Sequence, residues 1–247
     1  MGKIKFISVL ILIVFQSCKK DYNNNCISSN GEISKEVRNL APFTTLFLTD
    51  YIHVDLQQQP TNSIEIEGGK NLLEYISSEI RNDTLFILNN NKCNFLRSYK
   101  PSISINLFHS NLKNIHLWYA TGNIASLDTI KSEIFTLFAE SSAGNCDLNI
   151  SSDSARISLQ GSTFDLNIEG NISNSLSLSH TGLGTFNAQN LNSKACYVYN
   201  NGLGDIYINA SSYIYAYLGG NGNIFYQGEP SLVQSQIEGN GKLIEME

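Results

Sequence analysis

Seven tyrosines crowd the C-terminal part of this 247-residue chain: Tyr197, Tyr199, Tyr207, Tyr213, Tyr215, Tyr217 and Tyr226. Tyr213, Tyr215 and Tyr217 alternate with Ile214, Ala216 and Leu218, so in a strand the rings share one face and the aliphatic groups the other. Tyr197 and Tyr199 form a similar outward row beside Cys196 and Val198, and Tyr207 with Phe225 faces out on the next side. Exposed phenols offer flat apolar rings that stack on sugars or anchor a protein, and hydroxyls that hydrogen-bond. The plainer use of such rows is to cover the surface or to meet a second copy of the chain.

Other chemistry is thinner. Asp147 and Asp165 fall at equivalent positions of adjacent repeats in the stacking given below. Two stacked carboxylates can hold calcium or divide acid and base between them. No Lys or Arg column accompanies them, and the next equivalents are Asn187, Tyr207 and Phe225. Gly202-Leu-Gly-Asp205 only brushes against the Gly-Gly-x-Gly-x-Asp calcium-roll repeat. The four histidines, His53, His109, His116 and His180, lack ligand spacing and read as exposed or strand-edge residues. The pattern assigns no catalytic residue, metal or cofactor. Cys146 and Cys196 fall on apolar positions as buried free thiols. A pairing of Cys26 with Cys93 in an exported protein stays open.

These residues sit on a repeat. Gly122-Asn-Ile, Gly144-Asn-Cys, Ser162-Thr-Phe, Gly184-Thr-Phe, Gly204-Asp-Ile, Gly222-Asn-Ile and Gly241-Lys-Leu recur at spacings of 22, 18, 22, 20, 18 and 19. A period of about 20 residues marks a repeat architecture. The third residue of every segment is apolar and the second polar, the alternation of a strand with one buried face. A small residue heads each segment, as a corner requires. The expected fold is all-β: a single-stranded β-helix-like solenoid with turns of about 20 residues and Gly-rich corners, its strands pairing one turn away at about 4.8 Å. Each turn holds two or three strands. Asn149, Asn167, Gln189, Asn209 and Gln227 share one column, either as an amide ladder or as a solvated face rich in amides.

Residues 1–17 read as a lipoprotein signal peptide, with Lys3 and Lys5 ahead of an apolar run from Phe6 to Phe15 that is too short to span a bilayer. The following Gln-Ser-Cys18 resembles a relaxed bacterial lipobox, which implies lipidation of Cys18 and anchoring to the outer membrane. Residues 18–35 form a flexible tether, and Lys19-Lys-Asp21 partly matches a surface-export signal. Residues 36–247 form the solenoid domain, with degenerate early strands at Phe43–Gln58. The net charge of −6 argues against nucleic acid, which needs a basic face.

Two parts of the chain resemble a known family. They are Arg38-Asn-Leu-Ala-Pro-Phe43-Thr-Thr-Leu, Ile64-Glu-Ile-Glu-Gly68-Gly-Lys-Asn71-Leu-Leu and Asp83-Thr-Leu-Phe-Ile87, followed by the Gly-Asn-Ile array. Together, over about residues 36–245, they resemble the head GIN domain of auto-transporter adhesins, common in Bacteroidetes. The resemblance implies a β-helix-like fold on an exported protein, with adhesion the expected role and no catalytic motif to carry over.

The leading expectation is a non-catalytic envelope lipoprotein on the periplasmic or the outer side, the surface being favoured. It would bind a glycan or a protein through Tyr197, Tyr199, Tyr213, Tyr215 and Tyr217. Two alternatives stand beside it: a structural envelope protein that forms homo-oligomers, and a carbohydrate-active β-helix enzyme using Asp147 and Asp165.

Overall fold

From Asn114 onward the chain returns every 20 residues or so to the same place, one strand spacing further along. The computed structural model describes residues 29–91 and 103–246. Four long bent strands form the body: β8 (Asn114–Glu140), β9 (Ala143–Gln160), β10 (Thr163–His180) and β11 (Phe186–Asn200). β12 (Ile206–Leu218), β13 (Ile224–Gln227), β14 (Leu232–Ile237) and β15 (Leu243–Glu245) complete it. All of these pair in parallel with the turn before, so the chain is a β-solenoid. Breaks in the pairing, some of them register shifts, split each middle turn into three sides. In β8 they are 121–125, 129–132 and 134–140, paired with 143–147, 149–152 and 154–160 of β9.

The inward columns explain why the stack holds. On the first side Ile124, Cys146, Leu166, Phe186, Ile206 and Ile224 sit directly over one another and are buried. On the third side Phe135, Ala155, Leu176, Cys196 and Ile214 do the same. Cys146 and Cys196 are free, buried and on different sides. Burial pushes the Cys196 thiol up to about 11 and the Cys146 thiol higher, so both pack as unreactive hydrophobes.

The third row of the repeat differs from its sequence stacking. Gly144 pairs with Phe164, not Ser162, and Cys146 with Leu166. The error is two residues, which alternation at period two cannot detect because parity is preserved. The corner glycines also serve another purpose than expected. Only Gly122 (φ 141°) and Gly144 (φ 121°) among the segment heads have positive φ. A Cβ on Gly204 would overlap the Gly184 carbonyl oxygen, and one on Gly184 the Phe164 carbonyl. At Gly184 and Gly204 the backbones stack so closely that a side chain would collide, although Phe164 holds the same column one turn earlier.

The amide column is likewise rearranged. Asn149 pairs with Glu169 and bonds its carboxylate at 2.9 Å, while Asn167 bonds Asp147 at 2.8 Å. Gln227 and Asn209 both donate to the Gln189 carbonyl. Mixed bonds between turns replace a uniform ladder.

The N-terminal end is built differently. β1 (Ile33–Asn39) begins inside the stretch 18–35 expected as a tether. β2 (Thr45–Tyr51) and β3 (His53–Gln58) form a first parallel turn against β8. β4 (Ser63–Gly69) lies antiparallel between β1 and β7 (Ser104–His109). The short helix α1 (Lys70–Leu73) then leads to β5 (Ile76–Arg81), antiparallel to β6 (Thr84–Asn89). Antiparallel strands therefore close this end, whereas β14 at the other end is exposed along its whole length.

Candidate interaction face

The outward residues of the third side gather most of the tyrosines named above. Parallel register sets Tyr197 beside Tyr215 and Tyr199 beside Tyr217, with Tyr213 next to Ala195. The rings mesh rather than stack squarely. Tyr197 lies 5.5 Å from Tyr213 between centroids, and Tyr199 lies 5.8 Å from Tyr215 and 6.2 Å from Tyr217. These tilted contacts suit the ring quadrupoles. On the first side Tyr207 and Phe225 stack at 4.7 Å with planes 7° apart, a separate patch.

The two rows are unequal. Tyr213, Tyr215 and Tyr217 are half-buried, and their hydroxyls donate to Gln234 at 2.8 Å, Gln236 at 3.4 Å and Glu238 at 2.8 Å in and after β14. The Glu238 carboxylate raises the Tyr217 phenol above its ordinary range. This row binds the last turn to the stack. Tyr197 and Tyr199 are 39% exposed and are the rings a partner would meet.

The same side carries aromatic residues that the sequence reading passed over. Phe86 and Phe47 lie 5.2 Å apart on β6 and β2, and His116 and Phe138 lie 6.2 Å apart on β8. Trp118 and Tyr119 are exposed at the edge of that group. The alternation of His116, Trp118 and Phe138 with the inward Leu117 and Leu137 was readable. What was missing was that β2, β6 and the two arms of β8 share one sheet.

The carboxylates do not form the expected pair. Asp165 pairs with Asn145 and Asp147 with Asn167, so the two are diagonal neighbours, not equivalents. Asp165 accepts from the Thr185 N–H at 2.7 Å, and Asp147 accepts from Asn167. A shallow cavity beside Asp147, Asn149, Asn167, Glu169 and Asn190 opens widely to solvent. Among the described residues no group of three or more His, Cys, Asp or Glu could hold a metal ion.

Two histidines depart from the expectation of surface residues. His109 and His180 are fully buried; the ring nitrogens of His109 have no hydrogen-bond partner, and beside His180 only the Asn200 side chain favours the charged form. His180 takes an inward position between Leu159 and Asn200. Burial lowers both, His109 to about 4 despite facing Asp128. Cys18, Cys26 and Cys93 lie outside the described residues.

Comparison with known proteins agrees with the fold. A family model described as "Putative auto-transporter adhesin, head GIN domain" matches residues 42–230. The fold is similar to that of a "putative adhesin" from Bacteroides fragilis, at 21% identity and a TM-score of 0.79 over 87% of this chain and 97% of that one. A "putative adhesin" from Parabacteroides merdae aligns at 21% identity and a TM-score of 0.57 over 89% and 98%. A "Putative lipid binding protein" from Parabacteroides distasonis aligns at 18% and 0.58 over 88% and 98%. No curated protein matches this chain.

Proposed function

This chain belongs to the auto-transporter adhesin head GIN domain family, and from that premise we propose that it is a non-catalytic binding module of the cell envelope. The observation that carries the reading is the pair of exposed rings, Tyr197 and Tyr199, braced from one side by the Tyr213, Tyr215 and Tyr217 row. Rings already held in place lose little freedom on binding. The partner in this reading is a glycan or a protein, met through the third side of the solenoid. The carboxylates that an enzymatic alternative would use, Asp147 and Asp165, are occupied in holding neighbouring turns. Lipid attachment at Cys18 would tether the module to the outer membrane. No helix among the described residues is long and apolar enough to cross a membrane.

The test is a double change, Tyr197→Ser with Tyr199→Ser. Serine already fills the same two columns one turn earlier, at Ser177 and Ser179, so the fold accepts it. Binding to immobilised glycans and envelope proteins is expected to weaken at least tenfold, with the melting temperature shifted by only a few degrees. A folded variant that binds as well as the wild type overturns the reading. So does wild-type protein that self-associates in sedimentation while the variant stays monomeric, since the face would then meet a second copy.

A further inference from the structure

We infer that the third side of the solenoid carries a trough for a glycan chain and that Arg156 makes it selective for an anionic sugar. This rests on the binding reading above and goes beyond it in naming the ligand class. The trough follows from register alone. One column runs Phe138, Ser158, Ser179, Tyr199, and the next runs Thr136, Arg156, Ser177, Tyr197. Ser154 and Ser175 extend the same two middle turns. Two turns that carry serines and the single long side chain of Arg156 thus lie between Phe138 on one side and Tyr197 and Tyr199 on the other. Phe138 and Tyr199 are three turns apart, about 14 Å at about 4.8 Å each. Subtracting a contact distance of about 3.5–4 Å at each border leaves about 6–7 Å, room for one sugar strand lying along the β-strands.

The borders are supported from behind. His116 packs against Phe138 on the side away from the trough, and Tyr215 and Tyr217 pack against Tyr199 on its far side. The floor is polar and underused. Ser154 and Ser175 bond one another at 3.2 Å, whereas the hydroxyls of Ser177 and Ser179 make no hydrogen bond to another described residue. Aromatic borders with a hydroxyl floor match the two surfaces of a sugar, its C–H face and its hydroxyl rim.

Charge decides the class. Arg156 is exposed and is the only charged group on the two serine turns between Ser154 and Ser158 and between Ser175 and Ser179. No ion pair or hydrogen bond to a described residue engages its guanidinium. A free guanidinium offers a fork of donors that fits a carboxylate or a sulfate. On the same side Glu140 pairs with Gln160, outside these two columns, and Asp153, three residues before Arg156 at the corner, accepts from Ser173 at 2.9 Å. The net charge of −6 does not oppose this, since charges beyond the screening length of about 8 Å at physiological salt act weakly.

The experiment is isothermal titration of the full chain with oligogalacturonate, its methyl ester and sulfated dextran oligosaccharides, repeated with Arg156→Gln and with the Tyr197→Ser, Tyr199→Ser double variant. The expected result is binding to at least one of the two anionic probes, falling about tenfold or more for the methyl ester or for Arg156→Gln, and weakening with added salt. Preference for oligogalacturonate would assign the anion as carboxylate, and for dextran sulfate as sulfate. Binding to neither probe overturns the inference, as does equal affinity of Arg156→Gln. If Arg156→Gln binds normally while the tyrosine variant does not, the aromatic reading survives and the anion inference falls. If both variants bind normally, both fall.

Discussion

His109 and His180 tie the fold to pH, because each is a base whose burial outweighs any polar neighbour that would favour its charged form. A depressed folded-state value means that the unfolded chain binds protons more readily. Their contribution is therefore complete above an ordinary histidine value of about 6.5 and is lost as pH falls toward 4. His109 alone accounts for on the order of 3 kcal/mol over that window, and His180 adds in the same direction. Asp128, the one acid facing His109, opposes the shift without reversing it. Glu36 and Glu65 titrate below their usual range beside Arg38 and Lys35, so the interval from 6.5 to 4 belongs mainly to the histidines. Urea midpoints measured across this interval are expected to fall with acid in the wild type and to fall less steeply in His109→Leu. Parallel slopes would show that His109 protonates without cost. The burial of His180 was legible, since it continues the inward parity of Leu176 and Leu178. Reading it as a surface group followed residue type where position was the better guide.

At the scale of the strand, each inward residue has a fixed neighbour above and below. Phe186 lies between Leu166 and Ile206 and is fully buried. Phe186→Asp would set a carboxylate in that column with no partner, a cost of several kcal/mol against a typical margin of about 5–15. We expect the variant to be unfolded at room temperature by circular dichroism. A cooperative melt near that of the wild type would show that the column is not packed as described. The period of 20, the inward parity and the solenoid class were all legible from residues. The row that slipped, Ser162-Thr-Phe, slipped by two because alternation repeats every two residues and the small side chain of Ser162 imitated a corner glycine. The diagonal placing of Asp147 and Asp165 and the mixed amide bonds follow from that same slip. The tyrosine rows were legible because they lie within single strands. The Phe138 border was not, because it needs the register of strands far apart in sequence.

At the scale of the whole molecule, the two ends differ. The array beginning at Gly122 was readable, yet the antiparallel closure by β1, β4, β5 and β6 was not, since pairing direction leaves no trace in alternation. Location also belongs to this scale. With an acylated Cys18, the protein is expected to sediment with membranes, and Cys18→Ala to move it to the soluble fraction. Protease added to intact cells would cut the wild type if the module faces outward and spare it until lysis if it faces the periplasm. A Cys18→Ala protein that remains with membranes would argue against acyl attachment.

The uniform rise of the turns makes the molecule a ruler. Phe138 and Tyr199 are separated by whole turns, so the gap between them is quantised at about 4.8 Å. Removing one serine turn would bring the aromatic borders to about 10 Å with each border intact, and adding one would widen them to about 19 Å. An insertion much shorter or longer than 20 residues would instead carry a side chain into the glycine column, where the Gly184 and Gly204 backbones leave no room for one. Duplication in units of one turn is therefore the route by which such a surface can change its reach without losing its fold.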